Sequence, residues 1–107
     1  MSYDVTLHPS ADFTVEQEEL YWRNHTSNTA PMWRAAGVDI AEFHGKCARE
    51  MEQPLSSALA AMVADPDRFR AMDAPNRWGT YETTYDFLAD LHGACCNYPA
   101  AFVHVSR

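Results

Sequence analysis

Apolar and polar positions alternate at both ends of the chain. Tyr3, Val5 and Leu7 alternate with Asp4, Thr6 and His8, a period of two that predicts a half-buried strand closed by Pro9 and Ser10. Ala101, Val103 and Val105 alternate with Phe102 and His104, which predicts another strand after the breaker Tyr98-Pro99. Between Pro9 and Thr26 the pattern is mixed. Thr14 and Gln17 have the spacing of a helix capping box, whereas Leu20, Tyr21 and Trp22 favour a strand. The reading adopted is a strand near Glu18–Trp22.

The middle of the chain changes to a helical period. The polar stretch Asn24–Thr29 reads as a loop running into a short helix over Ala30–Gly37, with Pro31 in its first turn, Asn28 or Thr29 as cap and Gly37 as stop. Asp39 is expected to cap a turn through Ile40, Phe43 and His44, broken at Gly45. From Lys46 onward Cys47, Met51, Leu55, Ala58, Leu59 and Met62 recur at steps of three and four, one helix stripe that ends at Asp65-Pro66. Pro54 falls inside the stripe and predicts either a kink or a restart. Asp67–Met72 reads as one more turn of helix, with Phe69 and Met72 pointing inward. After a loop over Asp73–Gly79, Thr80 caps the strongest helix, whose inner face carries Tyr81, Thr84, Tyr85, Leu88, Leu91 and Cys95, and Asn97 is the expected left-handed stop. The order is strand, strand, helix, helix, helix, strand. It predicts an α+β fold: one domain over residues 1–107, a small antiparallel sheet with its terminal strands paired, and about three helices on one face.

Charge narrows the partners. Eight basic residues stand against 15 acidic ones, a formal charge of −7. Such a surface repels phosphate backbones and anionic lipid, so neither nucleic acid nor membrane is expected as a partner. No apolar run approaches the roughly 20 residues that span a bilayer. The start Met-Ser-Tyr-Asp-Val-Thr has no basic or apolar signal region, so the expected compartment is the cytoplasm. The acidic patch Asp12, Glu16, Glu18 and Glu19 reads as a solubility device or, in the sharper reading, as a decoy for a basic partner protein. The three cysteines, Cys47, Cys95 and the adjacent Cys96, are expected to be reduced.

Two motifs carry a resemblance. Asn24-x-Thr26-x-Asn28-x-x-Pro31-Met32 and Asn76-x-Trp78-Gly79-x-Tyr81-Glu82, followed by a helix and a closing strand, resemble a group of small uncharacterised bacterial and phage proteins. The resemblance covers roughly residues 20–107. It implies an α+β domain and a phage or prophage setting, and it implies no activity.

The same two segments hold the candidate chemistry. Amides and hydroxyls crowd Asn24, Thr26 and Asn28 ahead of a helix start, where unpaired N–H groups suit a polar or anionic ligand. Trp78 and Tyr81 beside Glu82 suit a flat or cationic one, and Asn76 either reads the ligand or bonds its own turn. His25 is the one histidine placed for acid–base work. His8 and His104 fall on the non-core side of their strands and meet if the terminal strands pair, but no histidine pair has metal-ligand spacing, and no metal or cofactor is expected. No nucleophile elbow, phosphate loop or zinc motif is present, which leans against an enzyme.

The leading expectation is therefore a non-catalytic domain. It binds a polar or anionic small molecule through Asn24, His25, Thr26, Asn28, Asn76, Trp78, Tyr81 and Glu82, and in a phage setting it sequesters a host signal. The alternatives are an acidic protein that inhibits a host enzyme and a small enzyme using His25. An open sheet edge also makes a homodimer the expected assembly.

Overall fold

Tyr3, Val5 and Leu7 are buried to within a few per cent, because the strand that carries them lies in the middle of the sheet. The computed structural model describes residues 1–107. In it β1 (Ser2–His8) pairs antiparallel with β2 (Tyr21–Thr26) on one side and with β3 (Phe102–Ser106) on the other. Val5 sits opposite Arg23 and Val105, and Leu7 opposite Tyr21 and Val103. One sheet face thus carries Tyr3, Val5, Leu7 and Val103 toward the helices. The other carries Asp4, Thr6, His8, Trp22, Asn24 and His104. The outer edge of β3 is closed by the Gly45–Cys47 segment, through Gly45 N–H to the Val103 carbonyl (2.7 Å) and Val103 N–H to the Lys46 carbonyl (2.8 Å).

Four α-helices cover the inner face: α1 (Ala30–Ala36), α2 (Arg49–Ala64), α3 (Pro66–Arg70) and α4 (Tyr81–Asn97). The α2 stripe Met51, Leu55, Ala58 and Met62 packs with Phe87, Leu88, Leu91 and Cys95 of α4, all fully buried. Trp33 of α1 is fully enclosed and meets the edge of the Tyr3 ring, with centroids 4.9 Å apart. The α+β architecture and the paired terminal strands agree with the sequence reading.

Several boundaries differ from it. The second strand occupies Tyr21–Thr26, not Glu18–Trp22, so Asn24, His25 and Thr26 are strand residues and not loop residues. No helix forms at Thr14. Its N–H and hydroxyl both bond the Asp12 carboxylate (3.1 and 2.6 Å), while the Gln17 side chain accepts from Ser10 N–H (2.9 Å). A 3-10 turn over Ser27–Thr29, capped by Thr26 accepting from Asn28 N–H at 3.3 Å, precedes α1; Thr29 holds the N-cap position of α1, as expected, but makes no side-chain cap bond. Asp39 makes no side-chain cap bond to the turn Ile40–Phe43.

Helix α2 begins at Arg49 and runs through Pro54 without a break. The proline removes one backbone bond, and the buried stripe around it holds the helix together regardless. Phe69 is buried as expected, but Met72 lies outside α3 and is exposed. Asn97 is the last helical residue and not a left-handed stop; Tyr98 ends α4 with φ −126°. No helix is long and apolar enough to cross a membrane.

Candidate functional site

The segment leaving β2 and the segment entering α4 interlock. Asn76 Oδ1 accepts from Trp78 N–H (3.0 Å), a tight turn that holds Arg77 at φ 59° and Gly79 at φ 89°, both left-handed. Gly79 then passes so close to the turn after β2 that a Cβ on it would lie 2.5 Å from the Cγ2 methyls of both Thr26 and Thr29. Asn28 Nδ2 reaches across to the Trp78 carbonyl at 3.4 Å. The two sequence motifs are thereby two halves of one clasp, although 50 residues separate Asn28 from Trp78.

The clasp leaves an open cleft of about 540 Å³ between β2 and α4, lined by Arg23, Asn24, His25, Thr26, Gly79, Glu82, Thr83 and Asp86, with no apolar residue among them. A second hollow of about 480 Å³ on the far side of the clasp brings Asn28 and Asn76 together over Asp73–Pro75. Arg23 is held between Asp86 (3.0 Å) and Asp90 (3.1 Å) of α4. Glu82 pairs with Arg70 at 3.0 Å, and its carboxyl is held below the usual carboxylate range chiefly by a bond to its own backbone N–H, with Arg70 next.

Anion binding at the helix starts does not follow from this geometry. Helix α1 has only seven residues and its turn is capped by Thr26. At α4, Tyr81 N–H donates to Asp73 Oδ1 (2.7 Å), while Thr80 and Thr83 bond each other's backbone and side chain in a capping box. The orphan donors that would attract an anion are already used.

The structure separates the expected site residues into groups. Thr26, Asn28, Asn76, Trp78 and Glu82 gather at or beside the clasp. Asn24 lines the cleft, but its side-chain amide turns to the outer face and donates to the Asp4 carboxylate (2.9 Å). Tyr81 points into the core, with its hydroxyl donating to the Met62 carbonyl at 2.9 Å, so it is a packing residue. His25 is 9% exposed and stacks on Phe87 with centroids 4.8 Å apart. Burial, helped by the charge of Arg23, pushes its ring down to about 4, so at neutral pH it is an uncharged ring in the core wall, with Nε2 3.4 Å from Thr84 Oγ1. That removes the property a general base near pH 7 requires. Trp78 is the opposite case. It is 71% exposed on a left-handed turn and seals no part of the core.

One cluster went unseen in the sequence as a cluster. His8 and His104 do meet on the outer sheet face, at 5.9 Å between ring centroids, as strand parity predicts. Phe13 and His44 join them from loops whose placement the pattern does not encode. Beside them lies a cavity of about 410 Å³ between the sheet and residues 13–19. On α4, His92 Nε2 and Cys96 Sγ lie 3.8 Å apart, a pairing at one helical turn. Cys95 is buried, its thiol pushed up to about 12 by desolvation, as befits a core residue. Comparison with known proteins finds no family model that matches the chain, no curated protein similar to it and no solved structure that resembles it.

Proposed function

We propose that the chain is a small, non-catalytic binding domain that holds a flat, polar small molecule in the cleft between β2 and the start of α4. The supporting observation is the clasp. Two segments far apart in sequence lock together at Gly79, leave an opening lined only by polar groups, and carry an exposed tryptophan, Trp78, immediately before the lining residue Gly79. Exposed aromatic rings next to hydrogen-bonding groups are a common way to stack and orient a planar ligand. The cleft's own charges, Glu82 and Asp86 against Arg23, favour a neutral or amine-bearing molecule over an anion. That narrows the polar-or-anionic expectation to its first half.

Thermal unfolding against a panel of nucleosides, amino acids, amines and sugars tests the proposal. A ligand that binds only the folded state adds about 2.7 kcal/mol at 100 times its Kd, which shifts Tm by several degrees in a domain of this size. The expected result is such a shift with at least one compound, lost in Trp78→Ala and in Glu82→Gln. Both side chains are exposed, so both variants should fold. A panel with no shift, or a shift that both variants keep, contradicts the proposal.

A further inference from the structure

We propose that residues 9–20 form a strap over the outer sheet face that mildly acidic pH releases, with Phe13 as its latch and three histidines as the catch. The Phe13 ring sits among His8 at the end of β1, His104 on β3 and His44 after the turn Ile40–Phe43, with centroids at 5.5, 4.7 and 5.5 Å respectively. His104 lies 4.9 Å from His44 and 5.9 Å from His8. Residues 9–20 contain no helix or strand; Leu20 at their end is fixed by its N–H to the Leu7 carbonyl (2.8 Å), and the Phe13 ring contact ties the middle of the strap to the sheet.

Protonation disturbs the contacts that hold two of these rings in place. His44 Nδ1 accepts a hydrogen bond from Val105 N–H at 3.0 Å. A proton on that nitrogen replaces the acceptor with a donor facing a donor, and the tie from His44 to β3 is lost. His8 Nε2 lies 2.8 Å from Thr6 Oγ1, while its Nδ1 is buried with no partner. Protonation there buries an unpaired charged donor. His104 is held below the usual histidine range by desolvation first, then by His44 and His8.

Opposing charge comes from Glu19 and Glu16 on the strap and from Asp4 on β1, and no lysine or arginine lines the cavity. Glu16 and Glu19 are solvent-exposed, so their attraction for an imidazolium is screened. The broken His44 bond and the buried His8 proton are local and are not. As the histidines charge, the His44 tie breaks, Phe13 leaves, and the sheet face around Thr6 and His104 opens.

The test is a pH titration followed by NMR of ring-labelled phenylalanine. At pH 7.5 the Phe13 ring signals should be displaced by the neighbouring imidazoles. Between pH 7.5 and 5 they should move to free-chain positions, while Phe87 in the core stays unchanged. In the double variant His44→Asn, His104→Gln, which keeps polar acceptors but cannot take those two protons, the midpoint should fall by at least half a pH unit. Phe13 signals that stay displaced down to pH 5 in the wild-type chain overturn the proposal. So does simultaneous loss of the Phe13 and Phe87 signals, which would mean global unfolding.

Discussion

Gly79→Ala should be among the most damaging single substitutions in the chain, lowering the unfolding free energy by about 2–5 kcal/mol. Two penalties add. At φ 89° an L side chain occupies a backbone region that costs it about 1–2 kcal/mol. The new methyl also falls 2.5 Å from two threonine methyls, one of them on the fully buried Thr29, and overpacking of this kind costs about 1–3 kcal/mol. Denaturant unfolding should show a lower midpoint with an unchanged slope, the mark of lost stability and not of a changed denatured state. Adding Thr26→Ser and Thr29→Ser removes both methyls and should recover the steric part while leaving the backbone part. A double-mutant cycle that shows no coupling between position 79 and the threonines contradicts the clasp.

The second large effect belongs to His25. Unfolded, its ring takes a proton below about pH 6.5; folded, it does so only near 4. Between those values the unfolded chain binds more protons, so stability falls as pH falls through that window and is flat, for this group, above it. The full span corresponds to about 3 kcal/mol by pH 4. His104 adds a loss of the same sign, and Asp12, Glu82 and Asp90, whose carboxyls are held low, add theirs at still lower pH. The difference between wild type and His25→Phe therefore isolates His25. Phenylalanine keeps the stack on Phe87 and carries no proton, so the variant should lose less stability from pH 7 to 4. Parallel pH curves for the two proteins contradict the burial argument.

What the sequence made legible follows from which rules each segment obeys. The terminal strands alternate cleanly because one face is apolar and the other, Phe102 apart, is polar. β2 breaks that rule. Its inward positions are Tyr21, Arg23 and His25, while Trp22 is 58% exposed. Arg23 tolerates the inner side because Asp86 and Asp90 on α4 meet it there, and Tyr21 because its hydroxyl donates to Asp90 at 2.6 Å. A binary pattern cannot show partners more than 60 residues away, so it ends the strand short of Arg23–Thr26 and makes His25 a loop residue. Met72 and Asn97 failed for a similar reason. An apolar side chain just past a helix and an asparagine near its end match a rule that packing elsewhere did not call upon.

The candidate site divides in the same way. The two motifs identified the segments that meet, and Asn28 and Asn76 do lie together, because each motif is shaped by its own turn chemistry. Their meeting point, Gly79 against Thr26 and Thr29, is a tertiary contact without a local signature. His25 beside a polar stretch and Tyr81 beside Glu82 match a ligand site by sequence alone, yet an aromatic ring with a polar tip suits a core equally well. Only the bond from the Tyr81 hydroxyl to the Met62 carbonyl and the His25 stack on Phe87 decide between them.

The most direct measurement is amide and indole NMR mapping of the folded protein against the compound that gives the largest thermal shift. The account predicts that Thr26, Gly79, Glu82 and Thr83 amides and the Trp78 indole move together in a saturable titration. Shifts confined to the outer sheet face around Thr6 and Trp22, or scattered without saturation, contradict it.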